Sequence, residues 1–234
     1  MKCRSTGCIQ RPSLRRTELL RWSVSWGRNL ERKAKLVPAT LGFRVKSGWA
    51  MAVLLAGPSN APTLICCRAV LLSDPEIPQS KQPYHAALEL SQDEAKAATK
   101  RLQKVVADAA KESVRELLNQ VRELKYEIRG AGLVVGSLVD PSTLHNEHIR
   151  AHGLEGRLFR TVLEHALGTQ KISCEVLVEK GAYLAAAPAL GKAAASAKRW
   201  IASLGDSHQG SWRAEEKLAA LAAWLALCAG DKPD

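Results

Sequence analysis

Between positions 41 and 72 apolar and polar residues alternate with the two-residue period of β-structure. Phe43 and Val45 share one side of a strand whose other side carries Arg44 and Lys46. Ser47-Gly48 reads as a tight turn, and residues 50–55 are apolar on both faces, as in a strand covered on both sides. Gly57-Pro58-Ser59-Asn60 is a second turn signal, and residues 63–72 form a third apolar run. Short turns join the three runs, so they are expected to pair antiparallel. Pro75, Pro78 and Pro83 make residues 73–84 an irregular crossing loop.

The period then changes to that of a helix. Ser91 and Glu94 match a capping box, in which hydroxyl and carboxylate each satisfy an orphan backbone N–H. Leu102, Val106, Ala109, Leu117, Val121, Leu124 and Ile128 form one stripe of a helix spanning 92–129, ended by Gly130 and Gly132. At about 1.5 Å per residue this helix would exceed ~50 Å, so part of it is expected to project or to pair with a partner helix. Residues 133–139 read as a fourth strand ending at Asp140-Pro141, 146–167 as a helix, and 172–178 as a fifth strand. Residues 182–204 are Ala-rich and helical but broken by Pro188 and Gly191. Residues 213–228 form a last helix, apolar nearly all round and therefore buried on two sides. The order β-β-β-α-β-α-β-α-α predicts an α/β domain over 41–229. Its mixed five-stranded sheet is flanked by helices, one of them unusually long, and 230–234 form a tail.

Charge changes this picture at one end only. Of 34 Lys/Arg and 23 Asp/Glu, residues 1–40 hold 10 and 2, leaving 24 and 21 for the rest, a net of +3. The basic segment reads as a disordered extension, an organelle transit peptide or a nucleic-acid-binding arm, with Pro38 at its boundary. The six cysteines form no CxxC pair and no zinc spacing, and Cys66, Cys174 and Cys228 sit in apolar runs, which fits a reducing cytoplasm. No uninterrupted apolar run reaches the length of a membrane span.

Glu155 is the most informative carboxylate. On a helical projection it falls inside the inward stripe of Ala151, Leu158, Phe159, Val162 and Ala166, with His148 and His152 on the same side. A buried carboxylate requires a partner or a metal. Two readings remain open: a divalent ion held by His148, His152 and Glu155, or an anchor paired with Arg44 or Lys46. His145 and His165 are expected in solvent. Glu179 ends the fifth strand beside Lys180 and Gly181, at the sheet edge where ligands of open α/β sheets collect. Gln82-Pro83-Tyr84-His85 reads as a pocket rim or a Pro–Tyr packing contact. Phosphate-loop, dinucleotide and nucleophile-elbow motifs are absent from the sequence.

The opening LGFRVKSGWAMAVL is similar to the first two strands of the Holliday-junction-resolvase branch of the ribonuclease H-like superfamily. The closing WRAEEKLAALAAWLAL resembles that branch's last helix, in which acidic residues precede an Ala/Leu run. The resemblance implies a ribonuclease H-like fold over about 41–228. It also implies a nuclease in which carboxylates from the first strand, the fourth-strand region and the last helix hold two Mg or Mn ions. Glu215 and Glu216 match the closing acids in type and place, while Asp140, at the end of the fourth strand, is either a further ligand or the start of a turn or helix. The first-strand aspartate would fall near Phe43 or Arg44, where the chain has no acid.

Three functions follow as expectations. One is a nucleic-acid-binding protein whose degenerate centre carries Arg44, Lys46 and Ser47, with His148, His152 and Glu179 as further binding residues. Another is a divergent Mg- or Mn-dependent nuclease using Asp140, Glu155, Glu215 or Glu216, with Asp140, Glu155 and Glu216 on the metal. The third is an interaction protein that dimerises through helix 92–129. The chain is expected in the cytoplasm, or in an organelle if residues 1–40 target it.

Overall fold

A computed structural model of the chain describes residues 36–208 and 210–230. The readings of residues 1–35 and 231–234 lie outside the described residues. Gly48, in the left-handed region at φ 81°, turns strand β1 (Val37–Lys46) into β2 (Trp49–Ala56). The two pair antiparallel, Phe43 opposite Ala52, and β3 (Thr63–Leu71) pairs antiparallel with β2. On the other side of β1 lies β4 (Tyr126–Val135), parallel, with Arg44 opposite Val134; β5 (Cys174–Val178) is parallel beyond it. Parallel neighbours need a crossover. Helices α1 (Gln92–Glu123) and α2 (Glu147–Thr169) supply the two crossovers. The sheet order is β3-β2-β1-β4-β5, the mixed five-stranded sheet that the sequence leads one to expect.

Each face of the sheet is covered. Leu41, Phe43 and Val45 of β1 pack with Val106, Ala110 and Val114 of α1 and with Phe159 and Leu163 of α2. On the opposite face Val53, Leu55 and Val134 meet α3 (Ala182–Leu190), α4 (Ala197–Ser203) and α5 (Ala214–Gly230). The last helix is buried nearly all round, as its composition predicts. It lies directly against the sheet because Gly42 and Gly132 present no side chain to it. A Cβ on Gly42 would stand 1.9 Å from the Ala219 carbonyl oxygen, and one on Gly132 2.3 Å from that of Ala222. Thr40 Oγ1 donates to the Ala223 carbonyl at 2.8 Å, and Trp224 Nε1 to that of Ser59 at 2.7 Å.

Several boundaries differ from the sequence reading, among them the end of the fourth strand, which stops at Val135 rather than 139, and the start of the fifth, at Cys174. β1 begins at Val37, so it takes in residues 37–40, which composition assigns to the extension. The long helix ends at Glu123, not near 129, and Lys125 turns the chain at φ 68° into β4. Ile128 therefore lies in a strand. Val121, Leu124 and Ile128 fit a helical stripe, but Tyr126 and Ile128 equally fit a strand period, and the sheet decides between them. The stripe of α1 is buried against the chain's own sheet: Leu102, Val106, Ala110, Val114, Leu117, Leu118 and Val121 are all covered. The helical part of the stripe expected to meet a partner helix is thus largely covered by the chain itself. No helix among the described residues is long and apolar enough to cross a membrane.

The α5 contact generates a stability prediction. Gly42→Ala should cost at or above the upper end of the roughly 1–3 kcal/mol typical of overpacking, because the obstacle is helix backbone. Gly136→Ala, with nothing within 4 Å of the added Cβ, should leave the urea midpoint nearly unchanged.

Candidate functional site

At the carboxyl ends of β1 and β4 a cleft of about 420 Å³ opens between the sheet and α2. Arg44, Lys46 and Ser47 of the β1–β2 hairpin form one wall, and His152, Gly153 and Gly156 of α2 belong to the other. This is the end of an α/β sheet where ligands collect, because strand ends and loops converge there.

Arg44 alternates with Phe43 and Val45, which places its side chain on the α5 face, where it is 3% exposed. A guanidinium so buried requires acceptors. Nη1 donates to the Val45 carbonyl at 2.6 Å and to the Val134 carbonyl at 3.4 Å; Nη2 pairs with the Glu179 carboxylate. Glu179 is held in turn, its backbone N–H donating to Val135 O at 2.8 Å. Lys46 Nζ lies 3.7 Å from Glu215 Oε1, a partly exposed pair at the first turn of α5.

The remaining carboxylates are engaged separately. Glu216 is buried, and its Oε2 accepts from the Arg213 N–H at 2.8 Å, closing the amino end of its own helix. Asp140 is exposed; it accepts from the Ser142 N–H at 3.1 Å and lies 3.9 Å from Arg157 Nη1. The hydrogen bonds from Ser142, with Arg157 adding to them, hold its carboxyl below the usual carboxylate range.

Glu155 is fully buried, as its place on the projection predicts. Its partner is neither Arg44 nor Lys46. Oε1 accepts from the His85 backbone N–H at 3.2 Å and stands 2.8 Å from His85 Nδ1. Arg44 and Lys46 are already committed to Glu179 and Glu215. His85 comes from a 3-10 turn (His85–Ala87) in the crossing loop, which Gln103 of α1 fixes through Tyr84 Oη at 2.7 Å. His148 and His152 lie on successive turns of α2, whose cap Asn146 accepts from the Ile149 N–H. The three imidazoles stack around one another, with ring centroids 4.2 to 4.8 Å apart. Among the described residues this histidine trio is the group of three or more such side chains whose ligand atoms come together; Asp140, Glu155, Glu215 and Glu216 do not form one. His145 and His165 are exposed, as expected.

His85 is the residue that sequence reasoning left out of the cluster. The segment Gln82-Pro83-Tyr84-His85 marks a rim, but nothing local ties it to a helix 70 residues on.

No protein-family model matches this chain, and no curated protein matches it. Solved structures do. Thermus thermophilus RuvC in complex with Holliday junction substrate is similar at a TM-score of 0.48 and 9% identity, covering 80% of this chain and 90% of that one. The yeast mitochondrial Holliday junction resolvase Ydc2 is similar at 0.42 and 14%, covering 84% and 82%. The sheet order and the strand directions are those that the ribonuclease H-like resemblance leads one to expect. At these identities and TM-scores the likeness to the solved structures carries nothing further. An Aquifex aeolicus member of the Ppx/GppA family is similar at 0.32 and 15%, over 67% of this chain and 40% of that one.

Two measurements test the site's internal structure. Glu155→Ala strands buried donors of His85 and should cost about 1–3 kcal/mol in urea unfolding, whereas the exposed Asp140→Ala should cost about 1 kcal/mol or less. Beside Glu216, burial first, then Glu216 and Cys66, push the Cys67 thiol up to about 11. The folded state thus keeps a proton that the unfolded state loses near 9.0, so this group's contribution to stability falls as pH rises from about 9 to about 11. Cys67 should accordingly resist iodoacetamide at pH 8 in the native protein and react in urea; equal rates in both states would refute the assignment.

Proposed function

We propose that this ribonuclease H-like protein binds nucleic acid without cleaving it. The observation that carries the reading is Arg44, a buried guanidinium on β1 fixed by Glu179 and two backbone carbonyls. The resolvase resemblance requires a metal-binding carboxylate near Phe43 or Arg44. Phe43 is a fully buried core residue and Arg44 is a cation. A pair of Mg or Mn ions does not fit these residues. Two positive side chains, Arg44 and Lys46, would repel divalent cations, and Glu179 and Glu215 already balance them.

A polyanion would meet the exposed basic side chains beside the cleft rather than Arg44. Lys46 is partly exposed at the cleft, and Arg157 and Arg160 line an adjoining hollow of about 250 Å³ beside Ser137. Phosphates are held by such side chains through sequence-independent attraction that weakens with salt. Gly156, where an added Cβ would have nothing within 4 Å, keeps that part of the α2 wall low, so a backbone can approach. Cytoplasm or an organelle is the proposed compartment, in keeping with the free thiols of Cys66, Cys67 and Cys174.

The test uses the full chain with four-way junction and single-stranded DNA, with and without Mn²⁺. Binding should weaken steeply with salt, no strand should be cut, and Lys46→Glu or Arg157→Glu should each lower the salt slope by about one. Cleavage lost in Asp140→Asn or Glu215→Gln would replace this reading with the nuclease one. Binding unmoved by both charge reversals would assign it to the basic N-terminal residues instead.

A further inference from the structure

The histidine cluster lies on the α2 side of the sheet; His152 also lines the cleft, but the binding of a polyanion there makes no use of the cluster. His85, His148 and His152 each offer a ring nitrogen, and these atoms lie within 4.8 Å of one another. Two belong to α2 and the third to the crossing loop, so no single helical periodicity brings them together.

Glu155 decides which nitrogen of His85 is available. An ionised carboxylate only accepts hydrogen bonds, so the Nδ1 atom 2.8 Å away carries the proton. Nε2 is left with its lone pair. That nitrogen is buried and has no hydrogen-bond partner, as is the second oxygen of Glu155. A buried acceptor without a partner is costly, and a bound cation would satisfy it. A carboxylate that orients a histidine by its far nitrogen is the arrangement that fixes tautomer and ring direction in zinc sites.

We propose that His85, His148 and His152 bind a single zinc-class divalent ion, with Glu155 holding His85 in the ligating tautomer. Imidazole donors select Zn, Cu or Ni over Mg and Ca, which prefer oxygen. Three histidines leave a fourth, open position for water. Tetrahedral ligands at about 2.0–2.1 Å from zinc stand about 3.3 Å apart, so the rings must draw together from their present spacing. His148 and His152 are exposed, His152 with its Nδ1 4.0 Å from Glu155 Oε2, while His85 is held at Nδ1. The ion would tie the crossing loop between β3 and α1 to the first two turns of α2.

The full chain, stripped with EDTA, is titrated with Zn²⁺ against a chromophoric chelator while its Tm is followed, and with Co²⁺ by visible absorption. One ion per chain, a rise in Tm and the bands of four-coordinate cobalt without a thiolate charge-transfer band are expected. His148→Ala and His152→Ala, both at exposed positions, should each lower affinity at least tenfold, and Glu155→Gln by about 10–100-fold. His145→Ala and His165→Ala should change nothing. A Tm unmoved by Zn²⁺, affinity retained in both α2 variants, or a thiolate band would each overturn the proposal; they would leave His85 and Glu155 as a structural pair.

Discussion

The close approach of α5 to the centre of the sheet sets the terms for the rest of the molecule. Gly42 and Gly132 sit on neighbouring parallel strands, and the backbone of α5 rests where their side chains would be. Apolar burial alone would accept several helix positions, since Ala and Leu pack in many ways. Backbone contact does not. It fixes the height and register of the helix, and Thr40 and Trp224 hold that register with hydrogen bonds at either side. The first turn of α5 is thereby carried to the end of the sheet, where Glu215 meets Lys46.

Electrostatics at that end are resolved pair by pair. A buried guanidinium is tolerated because Glu179 and two carbonyls accept from it, at the cost of removing the guanidinium from water while Glu179 stays exposed. Glu155 solves the same problem with histidine on the other side of the sheet. Among the described residues Glu179, Glu215 and Glu155 each face a neighbouring basic or histidine side chain. Fold and chemistry are separate matters here: the sheet order follows the pattern of the sequence, while the side chains at its carboxyl ends arrange themselves as ion pairs.

Much of the fold was legible in the pattern of residues. The Ser47-Gly48 turn, the apolar second strand and the helix around Phe159 follow from local period and turn chemistry, and the structure places them as read. The end of α1 was misplaced because positions 121–128 satisfy two periods at once, and only pairing with β1 chooses between them. The burial of Glu155 was readable from one helix, but its partner was not. His85 lies 70 residues away, and the competing cations Arg44 and Lys46 are satisfied by acids still more distant from them in sequence. Side-chain pairing across elements leaves no period to read.

The hydrogen bond from Thr40 to Ala223 spans 183 residues, nearly the whole of the described chain. Its length has a consequence for how the protein is made. The β1–β2–β3 meander consists of local contacts and can form early, but Val53, Leu55 and Val134 stay uncovered until the last helix arrives. During synthesis that helix leaves the ribosome after everything it covers. For that interval the nascent chain exposes one apolar face of a finished sheet, a state prone to aggregation and open to capture by chaperones.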